Sequence, residues 1–223
     1  MTTRTLDHLR RGARIHSVLY ASFIARNTDR QYDVVWEGLG YRRTTKAGAT
    51  GIVVFSKSGA VGAFFEPESP RNPKTAKKKT PLGDHVKGIP TALGNVAKRE
   101  TFPAMALDTA DPAVTAVFWS DPKGALVGAR PWDDLLADGA YLVEPETQAP
   151  DACIATLGET YGIDEARLAV VRDERSAAKQ SFVEPRVVLL VAGPLEGKPT
   201  TLVREAKVTT HGKSQDSSLD LKG

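Results

Sequence analysis

The chain has 223 residues, of which 41% are hydrophobic and 26% are charged, and its formal net charge at pH 7 is +3. This is enough for one large domain or two small ones with a real hydrophobic core. The only cysteine, Cys153, excludes an intrachain disulfide, and no apolar run approaches the ~20 residues that a bilayer-spanning helix needs. We therefore expect a cytoplasmic protein with no membrane span, in which Cys153 is a small buried side chain.

The first forty residues predict two helices. Residues 5–25 place apolar side chains at broadly helical intervals. Four arginines near an apolar stretch resemble a signal peptide, but His16 and two serines interrupt that stretch, so we interpret it as an amphipathic helix at the edge of the domain. Residues 28–39 predict a second helix, with apolar residues at i, i+3, i+4 and i+7 and with Gly40 at its end.

Two similar β-hairpins follow. The first consists of residues 52–55 and 60–65 around a Ser-Lys-Ser-Gly turn. The second consists of residues 114–119 and 125–129 around a Ser-Asp-Pro-Lys-Gly turn. We interpret them as parts of one sheet, and an internal duplication is the less favoured alternative.

The rest of the chain predicts short alternating elements. Residues 131–139 predict a helix with an early proline, two early acids and a final glycine. The remaining predicted elements are a strand at 141–143, helices at 151–161 and 164–179, and strands at 187–191 and 201–209. Together these elements predict an α+β fold with a mainly antiparallel or mixed sheet. We expect one domain over residues 1–210 and a polar, mobile tail over residues 211–223.

Two segments resemble known phosphate-binding or DNA-binding motifs without completing them. Residues 192–200 approach a P-loop, but Pro199 stands where the loop needs a hydroxyl for Mg²⁺, so we interpret them as a surface turn. Residues 157–171 have the spacing of a helix-turn-helix, but their second helix is acidic and would repel phosphates. An ordinary helical hairpin is the better interpretation.

The titratable residues show no complete catalytic or metal-binding pattern. The paired acids Asp133/Asp134 and Glu144/Glu146 are interpreted as solvated side chains rather than as an acid/base pair. The four histidines lack metal-ligand spacing, and the neighbours Asp84 and His85 are a weak candidate for an active site. We therefore predict no metal, no cofactor and no catalytic residue.

The charges are divided along the chain into opposed blocks. Residues 1–99 contain 18 Lys and Arg against 7 Asp and Glu, whereas residues 100–175 contain 5 against 15. Residues 66–103 contain six prolines and predict a long loop. Within it, eight basic residues form the candidate binding site for a protein partner or for phosphates: Arg71, Lys74, Lys77, Lys78, Lys79, Lys87, Lys98 and Arg99.

This charge pattern favours a non-catalytic binding protein. In this hypothesis, the basic loop and the opposed acidic block hold an acidic protein surface or further copies of the same chain. The first alternative is a protein that binds nucleic acid phosphates through residues 71–99, although the loop offers no aromatic side chains for base stacking. The second alternative is an enzyme whose active-site residues are dispersed along the sequence. A solvated loop, or one that lies on the acidic block of its own chain, would have no binding role.

Overall fold

A six-stranded antiparallel sheet organises the chain. The computed structural model describes residues 4–25, 27, 33–77, 79–106 and 112–178. The strands are β1 (Val34–Glu37), β2 (Gly40–Thr44), β3 (Thr50–Ser56), β4 (Gly59–Phe65), β5 (Ala116–Ser120) and β6 (Leu126–Gly128). Each strand pairs with the next one along the chain. The α+β class is confirmed, and the two predicted hairpins are β3–β4 and β5–β6.

Helices and short helical turns cover the sheet. The α-helices are α1 (Leu6–Ile24), α2 (Leu82–His85), α3 (Thr91–Val96), α4 (Phe102–Ala104), α5 (Trp132–Ala137), α6 (Pro150–Tyr161) and α7 (Glu165–Ala178). A π-helical turn (Ala97–Thr101) joins α3 to α4, and two 3-10 turns (Ala140–Val143 and Pro145–Thr147) precede α6. The helices predicted at 5–25, 131–139, 151–161 and 164–179 correspond to α1, α5, α6 and α7.

Both faces of the central strands are buried, because successive side chains of a strand point to opposite sides. On β3, Val53 and Phe55 belong to one apolar cluster, with side chains of α1 and α5. Ile52 and Val54 belong to a second cluster, with Leu93 and residues of the segment that follows it. The sheet is therefore the middle layer of three.

The predicted helix at 28–39 is wrong where the structure describes it. Residues 34–37 form β1, which pairs with β2 so that Trp36 lies opposite Tyr41. The turn between them places Gly38 at φ +59°, as a two-residue hairpin turn requires at its first position. Valine and tryptophan favour strands, and pairing with β2 decides the conformation of a segment whose apolar spacing also suits a helix.

The predicted strand at 141–143 is also wrong. These residues belong to the 3-10 turn Ala140–Val143, in which Leu142 and Val143 are buried. Gly139 begins the turn at φ +116°, a value that a residue with a side chain rarely adopts. A run of three apolar residues could not by itself distinguish a strand from a turn of helix.

The segment 66–103 is not the long loop that its prolines predict. Its first part consists of hydrogen-bonded turns, and its second part contains α2, α3 and the π-helical turn. Pro81 and Pro90 directly precede α2 and α3, where a missing N–H costs nothing. Leu93, Ala97 and Phe102 of this region pack against the sheet. The prolines therefore separate short helices rather than prevent them.

The apolar positions of the predicted helices and strands also predict nine buried residues. Six of them are buried in the structure: Val53, Phe55, Phe64, Val117, Trp119 and Leu157. Trp36 is only partly buried, and Val188 and Leu190 lie outside the described residues. The predicted strands at 187–191 and 201–209, the P-loop-like segment and the tail at 211–223 also lie outside them. The single domain over residues 1–210 stays a prediction.

Candidate functional site

An open pocket lies between the first part of the 66–103 segment and the loop that follows β6. Its volume is about 370 Å³, and its polar lining consists of Arg71, Lys79, Thr80, Asp84, His85 and Arg130. Two of the basic residues come from the segment that the sequence singled out, and the third comes from the acidic part of the chain. The fold thus brings three cations to one concave surface.

Asp138 anchors two of these cations. Its carboxylate accepts a hydrogen bond of 2.5 Å from Arg130 and another of 2.5 Å from Ser69, and Arg71 Nε lies 3.4 Å from it. A second guanidinium N–H of Arg130 donates to the carbonyl of Thr115 at 3.0 Å. The Asp138 side chain is only 6% exposed. Its carboxylate therefore fixes the two guanidinium groups from the interior of the protein and is not itself accessible to a ligand in the pocket.

Local turn chemistry places Arg71 at the pocket. Ser69 Oγ accepts the backbone N–H of Arg71 at 3.0 Å, and Asn72 Oδ1 accepts that of Lys74 at 2.9 Å. The Asn72 amide also donates to the carbonyl of Pro67 at 2.8 Å. Serine and asparagine favour such turns because their short side chains replace backbone hydrogen bonds. The segment is therefore ordered by its own polar side chains.

His85 is a buried, neutral member of the pocket lining. The residue is 5% exposed, and its Nε2 has no hydrogen-bond partner among the described residues. Burial, together with the nearby charges of Arg130 and Arg71, lowers the pKa of His85 to about 4, although the charges of Asp138 and Asp84 oppose this shift. The imidazole is therefore uncharged at neutral pH and retains an unused polar atom.

The pocket has an excess of positive charge. Arg71, Lys79 and Arg130 carry it, Asp138 offsets one charge from below, and the exposed Asp84 offsets another. Planar guanidinium groups and a lysine ammonium are the groups that bind carboxylates and phosphates in proteins. The arrangement can therefore bind an anion.

The other described residues among the predicted site lie on the same segment and are not part of the lining of this pocket. The side chains of Lys74, Lys77, Lys87, Lys98 and Arg99 are exposed, and none has an ion-pair partner within the described residues. Lys74 Nζ lies 5.9 Å from the centre of the Phe65 ring. Lys78 lies outside the described part of the chain. Of the predicted site residues that the structure describes, Arg71 alone forms an ion pair with the acidic block of its own chain, through Asp138.

A second polar cluster is largely buried and joins α1, β2, the turn before α6 and the end of α6. Glu146 Oε1 accepts hydrogen bonds from His16 Nδ1 at 2.5 Å, from the Tyr41 hydroxyl at 2.7 Å and from Arg43 at 3.0 Å. The Tyr161 hydroxyl donates to His16 Nε2 at 2.5 Å. We call these five residues the buried network. These hydrogen bonds also assign the tautomer of His16, because Nδ1 must carry the proton in order to donate to the Glu146 carboxylate.

Two groups of the buried network are charged, and they form one ion pair. Burial lowers the pKa of His16, although the hydrogen bond to Glu146 opposes this shift, so the imidazole is neutral. Burial alone would raise the pKa of Glu146, but the hydrogen bonds and charges around it outweigh burial and lower that pKa. Glu146 and Arg43 therefore form a buried ion pair that neutral donors surround.

Close packing keeps the buried network away from solvent. His16 and Glu146 are 0% exposed. A side chain on Gly12 of α1 would approach the Glu146 carbonyl oxygen to 2.3 Å, so only glycine allows the helix to approach this turn so closely. A substrate could not reach these groups without opening the fold. The buried network is thus a structural element rather than the candidate site.

Two of these observations correct or extend the interpretation of the sequence. Glu146 is buried, so the expectation of a solvated Glu144/Glu146 pair is wrong for Glu146, whereas Asp133 and Asp134 are exposed as expected. Sequence reasoning missed His16, although Leu9, Ala13 and Tyr20 place it on the buried face of α1. That helical spacing was the available signal. Cys153 is buried, as predicted.

Comparisons of the chain with protein-family models, with curated proteins and with solved structures find no match. Among the described residues, no group of three or more His, Cys, Asp or Glu side chains could hold a metal ion. No described helix is long and apolar enough to cross a membrane. The geometry of the site is therefore the basis for inferring a function.

Proposed function

We propose that the protein is a non-catalytic binding protein whose 66–103 segment holds an acidic surface of a partner protein or of a second copy of this chain. One observation carries the proposal. Five described basic side chains of the segment are exposed and have no ion-pair partner among the described residues, on a scaffold whose apolar side packs against the sheet. We call this surface the basic face; it consists of Lys74, Lys77, Lys87, Lys98 and Arg99.

The packing of the segment supports binding rather than mere solvation. Leu93, Ala97 and Phe102 point to the core, whereas Lys87, Lys98 and Arg99 of the same region remain in solvent. A surface held in place by its own core loses little conformational entropy when a partner binds. Complementary charge would also speed the encounter with an acidic partner.

The described residues favour a protein partner over nucleic acid. The two phenylalanines that flank the basic face, Phe65 and Phe102, are buried in the core. They cannot stack on bases, which is how single strands are commonly held. A reducing compartment, the cytoplasm, suits a chain whose single cysteine is buried.

The test compares two variants that lose the same charge. The first replaces Lys87, Lys98 and Arg99 with Gln, and the control replaces the exposed Lys46, Lys57 and Lys123 with Gln. Polyglutamate is the acidic probe, at a physiological ionic strength of ~0.15 M. We expect the first variant to bind about tenfold more weakly than the wild type, since exposed ion pairs contribute up to about 1 kcal/mol each. The control variant should retain wild-type affinity.

Two results would contradict the proposal. An equal loss in both variants would mean that polyglutamate responds only to net charge. Tighter binding of duplex DNA than of polyglutamate, lost in the first variant alone, would favour the nucleic-acid alternative. Circular dichroism and urea unfolding of both variants check that the exposed substitutions leave the fold intact.

A further inference from the structure

The pocket is built differently from the basic face. The basic face consists of exposed side chains, whereas the pocket combines two anchored guanidinium groups with a buried imidazole. We propose that this pocket binds a phosphoryl group on a phosphorylated side chain of the acidic partner. The inference rests on the proposed function, because it names the part of the partner that the pocket would hold.

The number and kind of donors favour a phosphoryl group over a carboxylate. Arg71 and Arg130 offer planar N–H groups, Lys79 offers an ammonium, and Thr80 offers a hydroxyl. A phosphoryl group has three acceptor oxygens and nearly two negative charges at neutral pH, so it can use more of these donors than the two oxygens of a carboxylate. Guanidinium groups bind it in paired hydrogen bonds.

His85 supplies the independent observation. A buried polar atom without a partner destabilises a fold, and such atoms in native structures call for an explanation. Nε2 of His85 is such an atom in a residue that lines the pocket. Nε2 itself is closed to solvent, so an anion in the pocket would act on this imidazole through its charge. It would offset the charges of Arg71 and Arg130, which now help to keep the imidazole neutral.

Two carboxylates at the pocket would repel a bound anion, and they differ in how close they lie to it. Asp138 is buried below the pocket, where Arg130 and Ser69 already donate to it. Asp84 is exposed in the lining and would face the ligand's charge. Removing the Asp84 charge should therefore strengthen binding, an effect that a role of these residues in stability alone would not produce.

The experiment measures binding of a short acidic peptide in two forms, with serine or with phosphoserine at its centre, by calorimetry. We expect the phosphoserine peptide to bind roughly tenfold more tightly. Lys79→Gln should remove most of that gain, and Asp84→Asn should increase it by about threefold. Lys79 is exposed and has no ion-pair partner within the described residues, so this variant should fold. Lys57→Gln, which removes an equal charge elsewhere, should bind both peptides as the wild type does.

The results separate this inference from the proposed function. Equal affinity for the two peptides, with the loss in the Lys87/Lys98/Arg99 variant preserved, would overturn the phosphoryl pocket and leave the basic face. Inorganic phosphate that binds as tightly as the phosphoserine peptide and depends on Lys79 would assign the pocket to a free phosphate and overturn a phosphorylated partner. Binding of neither peptide would contradict the proposed function itself.

Discussion

Replacing Glu146 with Gln is expected to lower the free energy of unfolding by about 3 kcal/mol or more. The substitution keeps the shape of the side chain but leaves the Arg43 charge without its counter-charge. Removing one partner of a buried ion pair typically costs about 3–5 kcal/mol. The lower end applies here, because the Arg43 side chain is still 15% exposed. Urea unfolding at neutral pH measures the effect.

Two further variants identify the cause of that loss. Combining Glu146→Gln with Arg43→Met removes both charges, so the double variant should be more stable than the sum of the single effects predicts by about 1–3 kcal/mol. Tyr161→Phe removes only a neutral hydrogen bond to His16 and should cost about 1 kcal/mol. Strictly additive effects would show that Glu146 and Arg43 do not interact in the folded protein.

The same ion pair has a defined pH dependence. The folded protein lowers the pKa of Glu146 below its ordinary value of 4.5, so its contribution to stability is fully present above that value. The contribution is lost as the pH falls below about 4.5, where the unfolded chain takes up the proton first. The difference in stability between the wild type and Glu146→Gln should therefore narrow in acid. A constant difference would contradict an ionised Glu146.

Replacing Trp119 with Ala is expected to cost about 3–5 kcal/mol, the usual loss for a large aromatic core residue. Trp119 is 4% exposed and lies on the face of the sheet that the 66–103 segment covers. Leu93→Ala, in α3 and in the same cluster, should cost about 2–5 kcal/mol. Leu39→Ala, in a turn where this residue is 59% exposed, should change stability by less than about 0.5 kcal/mol.

The Leu93→Ala variant distinguishes a packed 66–103 segment from a solvated loop. If residues 66–103 formed a solvated loop, Leu93→Ala would leave the urea midpoint where the wild type has it. A loss similar to that of Trp119→Ala is expected if α3 is a packed layer of the core.

The central hairpins could be predicted from sequence because their signals are local. Val53, Phe55 and the Ser-Lys-Ser-Gly turn lie within a few residues of each other, and strand pairing at that distance needs no information from elsewhere. The hairpin β1–β2 was missed because Arg42 and Arg43 do not mark a buried strand. Arg43 reaches Glu146, 103 residues away in sequence, which no local pattern shows.

The candidate site could be predicted only in part, for the same reason. Arg71 and Lys79 were visible in the run of basic residues. Arg130 and Asp138 join them only because the chain returns after β6, and His85 joins them because α2 turns its imidazole inward. The run of basic residues identified the segment from sequence. The pocket, however, is defined by buried side chains and by residues that converge from distant parts of the chain, and both depend on the tertiary fold.

The pKa of His85, measured by NMR with and without sulfate, tests most directly whether the pocket binds a tetrahedral oxyanion. Sulfate is the probe because it remains a dianion over the titrated range, and the spectrum of His85→Asn identifies the signal among the four histidines. We predict a pKa of about 4 in the free protein, raised when sulfate occupies the pocket and unchanged by sulfate in Lys79→Gln. A pKa near the ordinary value of 6.5 that sulfate does not move would contradict both the buried imidazole and the anion site.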